Sequence, residues 1–169
     1  MSALWLVKRP QSMAWPSPGP SEPPVRAWNA VQQDVSYRYL QTLPRWVPSD
    51  PHSTVHALQS IQSLAGCAAH QVAGYHYVVE TDVQPDMEAE FNAWYEQEHL
   101  PGLAAVPGTV RAARYQQEGG QPRYLACYDL AHAEVLNSPA WLAVRATPWS
   151  ERVRPAFCNT LRTLFRRAP

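Results

Sequence analysis

Lysine is almost absent from this sequence. Lys8 is the single lysine, and arginine supplies the rest of the 14 basic residues. An enzyme that works through a Schiff base would have to use Lys8, so we expect no chemistry of that class. The 14 acidic residues balance the basic ones, and a zero net charge predicts neither nucleic acid nor a membrane surface as a partner.

Cysteines and long apolar segments are also scarce. The cysteines Cys67, Cys127 and Cys158 lie far apart and form no C-x-x-C pair, so neither a disulfide framework nor a thiolate metal site is expected. No stretch approaches transmembrane length, and the apolar N-terminal segment is too short for a signal peptide. Glycine-rich phosphate loops and dinucleotide fingerprints are missing as well. We therefore expect a soluble, cytoplasmic protein.

Proline is abundant, with 17 residues, and many of them fall in the first third of the chain. The sequence pattern predicts one strand over residues 3–8 and two more over residues 25–43. The prolines of residues 9–24 exclude a helix or a central strand in that segment. Residues 53–69 have apolar positions at helical spacing and predict a helix.

The pattern is clearer from residue 75 onward. Its predicted elements are a strand over 75–83, a helix, strands over 109–117 and 123–130, and a helix over 140–154 with a break near Pro148. Residues 157–165 fit a strand or a helix equally well. With a final strand the order is β-α-β-β-α-β, the ferredoxin-like arrangement, and the fold class is α+β.

The most informative segment is residues 91–108, FNAWYEQEHLPGLAAVPG, which predicts the end of an amphipathic helix. Side chains four residues apart share a helix face, which gives one row of Phe91, Tyr95 and His99 and a neighbouring row of Trp94 and Glu98. Pro101 disfavours helical geometry in Leu100 and predicts that the helix ends there. His99 would then lie at a helix C-terminus, where the dipole favours its protonated form.

These motifs carry a family resemblance. The order W-Y-x-x-E-H-L-P, V-P-G, R-x-x-R-Y from Arg111 and P-R-Y-L-A-x-Y from Pro122 resembles the EthD-like branch of the dimeric α+β barrel proteins, over residues 75–167. The resemblance implies a ferredoxin-like unit, a barrel closed by a second sheet, and His99 as the usual catalytic residue where activity exists. That superfamily includes cofactor-free oxygenases, cyclases, isomerases and decarboxylases, haem enzymes, and proteins of no known activity.

The N-terminal half is similar to a degenerate copy of the same unit. The V-R-A triplet at Val25 recurs at Val110, and a Y-L pair recurs at the same offset of 85 residues. This predicts two halves, residues 1–70 without a first helix and residues 71–169 with the EthD-like motifs. Short matches also arise by chance, so two closures stay open. We favour a barrel closed within one chain, an intrachain pseudo-dimer with a further homodimer contact, over a barrel closed between two chains.

Strand alternation predicts a barrel interior rich in aromatic side chains. We expect it, with Trp94 of the helix, to bind a small aromatic or polyketide-like ligand that has an oxyanion or phenol group. The predicted substrate-binding residues are Trp94, Arg111, Tyr115, Tyr77, Tyr124 and Tyr128. The alternative is that the tyrosines only fill the barrel.

His99 is the best candidate for a general acid/base, because its unperturbed pKa lies near neutrality. Glu98 is a neighbouring carboxylate that could tune it, and Tyr95, one turn earlier, could donate a proton or orient a substrate carbonyl. Structural alternatives exist: His99 can hydrogen-bond free carbonyls at the helix end, and Tyr95 can be a core residue. Trp94 is also expected to anchor the helix in the core.

Two functions from different classes therefore stay open. The first is a cofactor-independent lyase, cyclase, isomerase or oxygenase acting on such a ligand, and the second is a non-catalytic ligand-binding or assembly protein. Haem binding is a third hypothesis, and it requires an axial ligand that faces the cavity. His52 and His56 have the spacing of a helical metal site, but the sequence places no third ligand, so we expect no metal.

Overall fold

Eight antiparallel strands close into a barrel within the single chain. The computed structural model describes residues 4–16, 26–43, 45 and 47–169. The strands are Leu4–Arg9 (β1), Arg26–Ala30 (β2), Ser36–Leu40 (β3), Thr54–Ala65 (β4), Tyr75–Val83 (β5), Thr109–Gln117 (β6), Tyr124–Leu130 (β7) and Phe157–Arg167 (β8). Their order around the barrel is β1-β3-β2-β8-β5-β7-β6-β4. The predicted α+β fold class and closure within one chain are confirmed.

The longer helices of the described residues all lie in the C-terminal half. Between β5 and β6 come a 3-10 turn (Pro85–Met87), α1 (Glu88–Trp94), a π-helical segment (Tyr95–His99) and α2 (Leu100–Ala104). Between β7 and β8 come a 3-10 helix (Ala133–Asn137), α3 (Pro139–Arg145), α4 (Pro148–Val153) and a 3-10 turn (Arg154–Ala156); one more 3-10 turn is Val47–Ser49. The break predicted near Pro148 separates α3 from α4, and residues 157–165 belong to a strand. No described helix is both long and apolar enough to cross a membrane.

The two halves of the chain have the same strand order. The series β4-β1-β3-β2 and β8-β5-β7-β6 are the same permutation of four consecutive strands, and together they complete the barrel. The strands that carry the 85-residue matches, β2 with β6 and β3 with β7, occupy the same places in the two series. This order supports the division into residues 1–70 and 71–169, which stays a prediction.

The helix predicted over residues 53–69 is wrong, because most of those residues form β4. This strand pairs with β1 on one side and with β6 on the other, so it completes the closure of the barrel. Its register against β6 shifts between Ser60 and Gln62, which marks a β-bulge with Ile61 as the extra residue. A bulge interrupts the two-residue alternation of a strand, so the apolar spacing in the sequence also fits a helix.

The helix that carries His99 does not end at Leu100, as predicted from Pro101. Leu100 donates its N–H to the carbonyl of Tyr95, five residues back, which is the π-helical turn. This wider turn relieves the clash between a helical proline ring and the carbonyl four residues before it, so Leu100 keeps helical torsion angles (φ −67°, ψ −47°). Helix α2 continues to Ala104, and His99 lies inside the helical segment.

Two apolar clusters lie on opposite faces of the sheet. The barrel interior is filled from all eight strands and includes Leu6, Trp28, Tyr39, Tyr115, Leu125 and Phe165. The outer face of β5–β8 packs against the helices, and Tyr77, Tyr124 and Tyr128 belong to that cluster. The prediction that these three tyrosines face the interior is therefore wrong. All seven residues of β7 are buried, so alternation alone could not distinguish its two faces.

Candidate functional site

A small cavity lies between the outer face of the sheet and the helices of the C-terminal half. Its lining residues are Tyr77, Val79, Trp94, Tyr95, His99, Leu103, Tyr128, Trp141, Arg145, Arg154, Phe157 and Arg162. Its volume of about 30 Å³ has room for roughly one or two water molecules. The structure thus brings together five residues of the predicted site: Trp94, Tyr95, His99, Tyr77 and Tyr128.

Aromatic stacking holds His99 at this cavity. Its ring stacks on Trp94 with centroids 4.1 Å apart and an interplanar angle of 22°. The ring of Tyr95 meets it edge-on at 5.2 Å. His99 is 7% exposed, and its Nδ1 has no hydrogen-bond partner among the described residues. The burial expected for Trp94 is confirmed, since it is 1% exposed.

The surroundings of His99 strongly disfavour its charged form. Burial lowers the pKa of His99 from 6.5 to about 3, and repulsion from Arg145, Arg154 and Arg114 acts in the same direction. His99 is therefore neutral at physiological pH. The expectation that a helix dipole favours the protonated form is wrong, because His99 is followed by α2. A role in capping the helix end fails for the same reason.

Tyr95 lies beside a buried cation that the sequence did not single out. Arg114 is 1% exposed, and its guanidinium lies 4.2 Å from the ring centroid of Tyr95 and 5.0 Å from that of Phe91. It donates to Oδ1 of Asn92 at 2.9 Å. Burial raises the pKa of Tyr95 to about 12 although Arg114 opposes this shift, so the Tyr95 hydroxyl stays protonated.

Three arginines that were not predicted also border the cavity: Arg145 at the end of α3, Arg154 after α4 and Arg162 on β8. Within the described part of the chain, none of them forms an ion pair with a carboxylate. Arg154 donates to the backbone carbonyl of Arg145 at 3.4 Å. Burial, with repulsion from Arg145 and Arg162, lowers the pKa of Arg154. Residues 145–167 contain six arginines and one acidic residue, Glu151, an imbalance that could have identified them.

The remaining residues of the predicted site do not line this cavity. Glu98 accepts a hydrogen bond from Thr147, at the start of α4, at 2.6 Å, and Tyr124 donates to a carboxylate of α1. Both contacts fix the helices in place. Arg111 and Tyr115 lie in the barrel interior, where Arg111 donates to the hydroxyl of Tyr115 at 2.7 Å.

The barrel interior holds a separate chain of polar side chains. Nδ1 of His76 is hydrogen-bonded to Asp129 at 2.6 Å, and its Nε2 lies 2.9 Å from the hydroxyl of Tyr39. Asp129 also lies 3.4 Å from Arg26 and 3.9 Å from Arg111. Charges of opposite sign meet here from both halves of the protein, so we interpret these polar side chains as a structural link between the halves.

The described residues contain no group of three or more potential metal ligands. His56 lies on β4 rather than on a helix. His52 lies in the turn before β4, so the two histidines do not have the helical arrangement that the metal-site spacing requires. The three cysteines are free thiols.

Comparisons with known proteins found similar structures but no similar sequences. No family model matches the sequence, and no curated protein matches it significantly. A ferredoxin-fold protein from Listeria monocytogenes related to antibiotic biosynthesis monooxygenases has a TM-score of 0.62 at 11% identity, covering 100% of this chain and 96% of that chain. A heme-degrading enzyme from Listeria monocytogenes has a TM-score of 0.60 at 11% identity, covering 98% and 99%. An anthrone oxidase-like protein has a TM-score of 0.58 at 11% identity, covering 100% and 92%.

At this level of identity the similarity establishes a fold and not a reaction. The chain is similar over almost its whole length to ferredoxin-fold proteins, and its eight strands close one barrel. It therefore has the fold of the dimeric α+β barrel proteins, built from a single chain.

Proposed function

We propose that the protein is an acid/base enzyme of the EthD-like type that acts on a small aromatic or polyketide-like molecule at the cavity around His99. The observation that carries this proposal is a neutral, buried histidine whose Nδ1 has no partner among the described residues. It lines a cavity with Arg145, Arg154 and Arg162, none of which pairs with a carboxylate in the part of the chain that the structure describes. A neutral imidazole can accept a proton, and the arginines can stabilise the negative charge that the substrate then carries. The hydroxyl of Tyr95, which also interacts with Tyr128, would hydrogen-bond a carbonyl or phenolate oxygen.

Substrate binding would adjust the base. An imidazole whose pKa is about 3 because it is buried and faces three cations is a weak base. Burial, the larger cause of the low pKa, would remain, but an anionic substrate beside His99 would offset the repulsion from Arg145, Arg154 and Arg114 and raise this pKa. Arg111 lies in the barrel interior and takes no part, so the three cavity arginines replace it in the role of placing a carbonyl or phenolate.

Replacing His99 with asparagine tests this function. A thermal-shift screen of aromatic and polyketide-like compounds first identifies ligands, and turnover of those ligands is then measured. We expect His99→Asn to lower turnover by about two to four orders of magnitude while the circular dichroism spectrum keeps its native shape. His132→Asn is the matched control, because the His132 side chain is 59% exposed and lies outside the cavity. Equal turnover in the wild type and in His99→Asn would contradict the proposal.

A non-catalytic ligand-binding protein is the second candidate, and the low pKa that burial gives His99 is the observation that favours it. In that case ligands stabilise the protein but none is converted. A cavity of about 30 Å³ is too small for haem and also for one aromatic ring, which needs about 150 Å³, so only the reacting oxygen of a substrate would enter it. Cofactor independence, a further homodimer contact and a cytoplasmic location stay predictions.

A further inference from the structure

We propose that Arg145, Arg154 and Arg162, with the groove beside them, bind a small aromatic compound that carries one carboxylate or phenolate group. The anionic oxygen lies among the arginines, and the ring lies in the groove. This inference rests on the proposed function, because both use the same cavity, but it concerns binding and not turnover.

The charge of the region is the first argument. Three arginines line one cavity, and its lining contains no aspartate or glutamate. Arg114 adds a buried cation 4.2 Å from the ring centroid of Tyr95. Like charges that are held together repel one another, and an anion among them removes that repulsion. The planar fork of arginine matches the two oxygens of a carboxylate, so three arginines suit an oxyanion.

The sizes of two adjoining spaces are the second argument. The cavity of about 30 Å³ admits oxygen atoms but no ring. It adjoins a groove of about 180 Å³ lined by Val31, Gln32, Gln33, Tyr77, Arg162 and Leu164. Tyr77 and Arg162 line both spaces, so the two spaces meet at these side chains. A cavity of about 150 Å³ holds benzene, and the groove therefore has room for one aromatic ring against Tyr77 and Leu164.

The groove combines side chains from both halves of the barrel. Val31, Gln32 and Gln33 follow β2 in the turn that leads to β3, whereas the other lining residues lie on β5 and β8. Val31 is 48% exposed, and a bound ring would cover this apolar side chain. The two glutamines offer amide donors and acceptors to polar substituents of the ring. The N-terminal half thus supplies one wall of the site.

Benzoate binding to the full-length protein tests the site, with quenching of the cavity tryptophans as the readout. Benzamide is the neutral ligand of nearly the same shape, and we expect benzoate to bind about ten times more tightly or better. Arg154→Gln and Arg162→Gln should each weaken benzoate binding about tenfold or more. Arg152→Gln is the matched control, since Arg152 pairs with Glu90 outside the cavity, and its affinity should equal that of the wild type. A titration with 4-nitrophenolate at alkaline pH distinguishes a preference for phenolate from one for carboxylate.

The outcomes separate the anion site from the catalytic proposal. Binding of neither anion, equal affinity for benzoate and benzamide, or equal benzoate affinity in all three arginine variants overturns the site. Arg162 is exposed, so Arg162→Gln is expected to fold and keeps the test decisive if Arg154→Gln does not. Anion binding without turnover of any ligand leaves the site standing and refutes the enzyme, whereas turnover of neutral compounds without benzoate binding refutes the site alone.

Discussion

Acid should destabilise this protein through His99, and the size of the effect follows from the burial of that side chain. Because burial gives the folded state a pKa of about 3 against 6.5 for the free group, the unfolded chain takes up the proton more readily. The stability contribution is complete above about pH 6.5, declines as the pH falls, and is lost once the pH reaches about 3. Each pH unit in this window corresponds to about 1.4 kcal/mol, so His99 removes about 2 kcal/mol by pH 5 and at most about 5 kcal/mol by pH 3.

Urea denaturation of the wild type and of His99→Asn between pH 4 and pH 8 measures this contribution. The difference in free energy of unfolding between the two proteins isolates His99, because every other titratable group is present in both. The titratable side chains that face His99 are Arg114, Arg145, Arg154 and Tyr95, and none of them changes charge in this range. At neutral pH the free energy of unfolding should change with pH at the same rate in both proteins. Below about pH 6.5 it should fall more steeply in the wild type than in His99→Asn.

Parallel curves for the two proteins would refute this reasoning. They would mean that His99 takes up a proton as easily in the folded protein as in the unfolded chain. A His99 ring signal that titrates near neutral pH in the NMR spectrum of the folded wild type would have the same meaning, since a buried imidazole beside three cations should stay neutral there.

Two substitutions test the packing on either side of the sheet. Trp94→Ala should lower the free energy of unfolding by about 3–5 kcal/mol, because Trp94 is 1% exposed and stacks on His99; a denaturation curve measures the loss, and one below about 1 kcal/mol would contradict the anchoring role. Asp129→Asn should cost about 1–3 kcal/mol, because it weakens the buried hydrogen bond to His76 and removes the carboxylate beside Arg26. An Asp129→Asn protein as stable as the wild type would show that the polar chain is not needed to join the halves.

Local signals in the sequence were sufficient to predict most of the strands and helices of the C-terminal half. The strands around residues 75–83 and 109–117 carry β-branched and aromatic side chains between clear turns, and the structure places them there. The helical row around Trp94 also predicted its burial correctly. In each case neighbouring residues decide the conformation, so a single sequence contains the information.

Contacts between distant segments determine the features that the sequence analysis did not predict. Residues 54–65 form a strand because β1 and β6 flank them, and nothing local indicates those partners. The π-helical turn that carries the chain past Pro101 depends on a hydrogen bond to Tyr95, which the spacing of side chains does not reveal. The cavity arginines come from α3, the turn after α4, and β8, so they meet only in the folded chain.

Closure of the barrel within one chain has a consequence for how the protein responds to dilution. A barrel shared by two subunits dissociates at low concentration, whereas the folding equilibrium of a barrel made from one chain does not depend on concentration. Because a single chain forms the barrel, its two halves need not have the same structure. In the described part of the chain, the C-terminal half supplies the aromatic cavity and the N-terminal half supplies the groove wall at Val31. A symmetric pair of subunits would present two equivalent copies of the cavity around His99, whereas the described residues of this chain form it once, so the proposed site predicts one ligand molecule per barrel.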